Sequence, residues 1–214
     1  MGGTVLGAEL FIQTGCKTTP KKEAAEAGAE VLPDFFTKDE ISYLDEIAET
    51  ILPKTTTPGA KDAKVGEFMH VMVRDCYTPQ DQQVFKEGLG AIEKLSKEKY
   101  QNGFMQMQPQ QRTELLTALD KEAKDYTGTD DYKAKQAALD KEENAKDSIE
   151  RSKGNFGYGK ARMSKHYFSM MKELTLLGFF TSEPGATKAL RYSAVPGKYD
   201  GCMPYQKGDK GWAT

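Results

Sequence analysis

Between Phe36 and Leu119 the apolar residues return every three or four positions in four runs, a spacing that calls for helices with one buried face each. Three of the runs carry their own start signals. Thr37 is placed to cap the first, Glu40 to return the bond in a capping box and Phe36 to staple against Ile41. The face that follows is Ile41, Leu44, Ile47, Ala48 and Ile51, and Pro53 ends it. The second run has only its stripe, Val65, Phe68, Met69, Met72, Val73 and Cys76. Thr78-Pro79 with Asp81 opens the third, whose face is Val84, Phe85, Leu89, Ile92 and Leu95. Gln108-Pro109 opens the fourth, with Leu115, Leu116 and Leu119. Four such stripes joined by short turns are buried most economically by antiparallel packing. No alternating strand pattern competes, so the expected fold is all-α, a helical bundle.

The rest of the chain divides by composition. We expect a helical domain over 34–180, interrupted by a charged surface insertion over 121–153 where Lys, Asp, Glu and Ala dominate. Mixed signs at helical spacing favour a solvated helix or hairpin there over a plain linker. Gly154 to Gly159 reads as a hinge into a last helix, Met163 to Phe180, whose apolar residues cover more than one face. That width implies burial on two sides, against the bundle and against something else. From 181 to 214 aromatics sit between Gly and Pro where a helix cannot run, which predicts an extended tail that lies on another surface.

The N-terminus points to export. Residues 1–16 resemble the apolar region and cleavage site of a signal segment that lacks a basic beginning, with Thr14 and Gly15 preceding Cys16 as in bacterial lipoproteins. Gln13 and Glu9 depart from that pattern, and a frayed, weakly apolar terminus is the alternative. On the lipoprotein reading Cys16 is lipidated and residues 17–33 are a flexible tether. A net charge of -2 removes the electrostatic case for nucleic acid, because phosphate binding needs a concentrated basic surface. No apolar stretch approaches the roughly 20 residues of a spanning helix.

Catalytic patterns are not found in the sequence. His70 and His166, the only histidines, are far apart and belong to no zinc motif. His70 falls on the polar side of the second stripe, which suggests a surface or interface role. Cys16, Cys76 and Cys202 have no paired spacing for a metal or attached haem. In an exported protein a Cys76–Cys202 disulfide would staple the tail to the second helix; otherwise Cys76 is a small core residue and Cys202 lies at an interface. The glycine-rich stretch at 154–160 has no preceding strand and matches no nucleotide fingerprint. Catalytic, cofactor and metal sites are therefore expected to be absent from this chain.

Several strings resemble the gluconate 2-dehydrogenase subunit 3 family in its usual order: Phe36-Thr37 with its helix, Ile51-Leu52-Pro53, Thr57-Pro58-Gly59-Ala60, Tyr77-Thr78-Pro79, the run Glu173 to Thr181, and the tail. The 121–151 stretch is the least similar. The resemblance implies a non-catalytic escort subunit, carrying a twin-arginine signal upstream of Met1, that crosses the membrane with a flavoprotein. That partner would resemble glucose-methanol-choline oxidoreductases, hold FAD and pass electrons to a cytochrome c, in the periplasm. Phe179, Phe180, Arg191, Tyr192, Tyr199, Pro204, Tyr205 and Trp212 are then the expected interface residues, with Arg191 set to pair with a carboxylate. Removal of everything after Thr181 should leave a folded body that no longer holds its partner. Two other classes remain open: an enzyme with a metal site of its own, and a lipid-anchored adaptor with a non-redox partner.

Overall fold

The computed structural model describes residues 35–153, 162–195, 197, 201–204 and 206–213. The expected lipidation residue Cys16, the expected tether at 17–33, the expected hinge at 154–159, Tyr199 and Tyr205 lie outside them. Six α-helices make up the body: α1 Lys38–Ile51, α2 Val65–Cys76, α3 Pro79–Tyr100, α4 Pro109–Tyr126, α5 Asp130–Ser152 and α6 Tyr167–Thr181. The architecture is all-α, as the stripes predict.

The start signals work as read. Thr37 Oγ1 accepts from the Glu40 N–H while Glu40 Oε2 accepts from the Thr37 N–H at 2.8 Å, closing the capping box. Thr78 caps α3 through the Asp81 N–H, and Gln111 Oε1 accepts from the Gln108 N–H ahead of α4. Phe36 enters the core beside the rings of Phe85 and His70. A 3-10 turn at Phe104–Gln106 carries the chain from α3 to α4 and buries Phe104.

The last helix occupies the middle. α6 packs against α1, α2, α3 and α4, so its broad apolar surface is answered largely within the chain. Phe168, Met171, Leu174, Thr175 and Phe179 all face inward. Close approach depends on two glycines: a Cβ on Gly88 of α3 would lie 2.5 Å from Tyr167 Cβ, and one on Gly178 of α6 would lie 2.6 Å from the Phe68 ring. α6 starts at Tyr167 rather than Met163, because the His166 side chain accepts the Phe168 N–H and caps the helix there.

The charged segment is not a separate insertion beginning at 121. α4 continues to Tyr126 and still buries Ala123, and only α5 is solvated along its described length. The turn between the two helices carries a T-shaped pair, Tyr126 on Tyr132, at 5.1 Å between ring centres. Gln136 Oε1 of α5 accepts from the Met163 N–H, which tethers the arm to the approach to α6.

The tail departs most from expectation. Its described residues are held at two places instead of running extended throughout. Gly185–Ala189 forms a π-helical turn packed on α6, and Ala189 reaches the core. Arg191 then pairs with Trp212 in an isolated parallel bridge, which closes 192–211 into a loop. A cut after Thr181 would thus remove part of the body, and the cut that spares it falls after Leu190.

Candidate partner interface

The two histidines are structural. α2 buries Val65, Met69 and Val73, flanked by Gly66 and His70, while Cys76 is exposed. The buried stripe is therefore rotated from the one the spacing suggested, and His70 belongs to it. Its Nδ1 accepts the Phe36 N–H at 3.3 Å, which supplies the polar partner a buried imidazole needs. His166 is 7% exposed, sits against the Tyr126 and Tyr167 rings and has Nε2 3.7 Å from Glu122. Burial holds its pKa below the ordinary histidine value, against the smaller opposing pull of Glu122.

Neither reading of the cysteine pair, a disulfide or a core Cys76, is seen. Cys76 and Cys202 are both exposed, and no bond joins them. Among the described residues no group of three or more His, Cys, Asp or Glu side chains is placed to hold a metal, and no helix is long and apolar enough to cross a membrane. An open groove of about 840 Å³ lies between the α2–α3 turn and the start of α6. Among its charged residues, Lys165 pairs with Glu173 at 2.7 Å and Asp81 accepts from the Thr78 hydroxyl.

Apart from Met105 and Ile149, the exposed large apolar side chains lie on α2, the end of α6 and the tail. Near its C-terminal end α6 shows Leu176, Leu177 and Phe180, the last 40% exposed. α2, which meets α6 where Phe68 faces Gly178, adds Val71. The tail loop adds Tyr192, Val195, Met203 and Trp212. Large apolar side chains left in water on one helix end and one loop are the kind of surface a partner covers.

Of the eight interface residues expected, Phe180, Arg191, Tyr192, Pro204 and Trp212 are at least partly accessible. Phe179 is not: it is 4% exposed and sits edge-on to Phe180 at 5.1 Å, an inward residue on a central helix. Tyr199 and Tyr205 lie outside the described residues. The exposed Val71, Leu176, Leu177, Val195 and Met203 were not among the eight. Leu176 is next to Leu177 in a run of large apolar residues, so the run itself carried the signal. Val71 carried none, being set off the stripe that the spacing assigned to α2.

Fold and surface together define a helical protein with exposed apolar side chains on α2, the end of α6 and the tail. The chain belongs to the gluconate 2-dehydrogenase subunit 3 family, which it matches over residues 38–197, from the first residue of α1 into the tail loop. That family is an accessory subunit of a dehydrogenase complex. Neither a curated protein nor a solved structure matches the chain.

Proposed function

We propose that this chain is the non-catalytic small subunit of a FAD-dependent sugar or polyol dehydrogenase of the glucose-methanol-choline type, which it stabilises and escorts through twin-arginine export. The observation that carries the reading is the surface of Leu176, Leu177 and Phe180 with the Arg191–Trp212 loop, apolar side chains in water on a member of an accessory-subunit family. The flavin and the oxidation belong to the partner, with a cytochrome c as electron acceptor. Lipidation at Cys16 would hold the complex to the periplasmic face of a membrane. The substrate class follows the family: gluconate, glucose, fructose or the 3-hydroxyl of a glucoside, selected by a pocket in the other chain.

The test is purification of the chain from its native host in mild detergent, with an absorption spectrum and mass spectrometry of whatever accompanies it. Flavin bands and a co-eluting protein of flavoprotein size are the expected result. A colourless co-eluting protein would replace this reading with that of an adaptor for a non-redox partner.

A further inference from the structure

Arg191 and Trp212 do more than close a loop. The Arg191 N–H donates to the Gly211 carbonyl at 2.8 Å and the Ala213 N–H donates to the Arg191 carbonyl at 2.7 Å, so the backbone fixes both side chains in register. The guanidinium carbon lies 4.8 Å from the centre of the Trp212 ring. Stacked this way, a guanidinium loses water from one face and keeps its donors in a fixed planar fork.

Among the described residues those donors meet no acceptor. Arg191 Nε is covered and has no acceptor among the described residues, and no carboxylate among them lies at ion-pair distance from the side chain. Arg112 shows the contrast: it has Glu46 and two carbonyls. Nearby, Lys210 donates its ammonium to the Lys188 carbonyl. The tail as a whole leans basic, with Lys188, Arg191, Lys198, Lys207 and Lys210 against Glu183, Asp200 and Asp209. The chain overall is acidic.

We propose that the Arg191–Trp212 clasp is a preassembled site for a carboxylate side chain of the dehydrogenase subunit, with the exposed Tyr192, Val195 and Met203 as its apolar surround. This rests on the accessory-subunit reading and adds the chemistry of the contact. A planar fork suits a carboxylate or a phosphate equally well. A lipid surface is disfavoured because headgroup binding gathers several unspent cations. Here a single guanidinium is fixed by the backbone against Trp212, with Tyr192 exposed next to it in the chain, and a partner that covered those rings would exclude water from one ion pair, the setting in which such a pair counts most.

The experiment compares full-length wild type, Arg191→Gln, Arg191→Lys and Trp212→Phe for affinity to the purified dehydrogenase subunit across a salt series, with thermal melts of each variant. Arg191→Gln should weaken binding by about tenfold or more and flatten its salt dependence. Arg191→Lys should keep the salt dependence while losing part of the affinity, and Trp212→Phe should lose less. Melts of the four proteins should coincide. The proposal is overturned if Arg191→Gln binds as wild type does. It is equally overturned if Gln and Lys lose the same affinity with wild-type salt dependence, which would leave Arg191 a role in loop shape alone. Binding of wild type to phosphatidylglycerol vesicles that Arg191→Gln abolishes, with dehydrogenase affinity unmoved, assigns the fork to lipid instead. A wild-type chain that holds no dehydrogenase sinks the accessory reading itself and this site with it.

Discussion

A histidine that accepts a backbone N–H must keep the accepting nitrogen unprotonated, and His166 does so at the N-terminus of the helix on which the bundle closes. The positive end of the helix dipole and burial both oppose a charge there; Glu122 in α4 is the facing carboxylate, with the Tyr126 and Tyr167 rings on either side. Unfolded, the imidazole titrates near 6.5, and folded it titrates lower. The unfolded chain therefore takes up the proton first as pH falls. Stability from this group is complete above 6.5 and declines as pH drops through that value toward the folded one. Urea titrations at pH 7.5 and 5.5 should show a loss for wild type that His166→Asn reduces, since Asn caps without titrating. Arg112 makes a second prediction. It joins α4 to Glu46 of α1 and, through the Phe104 and Met105 carbonyls, to the 3-10 turn. Arg112→Ala would leave Glu46 with only Lys61, and should cost about 3 kcal/mol in chemical denaturation.

Among the elements, the helices legible in the sequence were those with a local signal. Thr37, Thr78 and the Gln108-Pro109 pair announce α1, α3 and α4 because a cap is a contact between residues three apart. The burial of His70 and the inward turn of Phe179 depend on neighbours distant in sequence, and no local pattern contains them. Gly88 is an intermediate case. A glycine inside a helix costs about 1 kcal/mol against alanine, which hints at a packing reason without naming the neighbour. The neighbour is Tyr167, and because its Cβ is fixed to the backbone it cannot swing away. Gly88→Ala should therefore push α3 from α6 and destabilise by about 1–3 kcal/mol in a thermal melt, although alanine is the better helix former. The candidate interface was half legible on the same logic: aromatics among Gly and Pro flagged the tail, while its clasp joins residues 191 and 212 and is a long-range contact.

For the whole molecule, the order of the chain and the order of the core disagree. Helices α1 to α4 come first, and the element that touches all four comes last. A chain ending at Lys153 would expose the apolar faces that α6 covers, and its far-ultraviolet circular dichroism should show helix without a cooperative melt. A chain ending at Leu190 retains α6 and the packed π-helical turn, and should melt cooperatively. During synthesis the same arrangement imposes a delay. A ribosome adding about 5–20 residues per second would release α1 several seconds before α6 emerges, and for that interval the first four helices would have no completed core. Such a nascent chain invites a chaperone, and any large subunit that recognises the finished surface must wait for the C-terminus to appear.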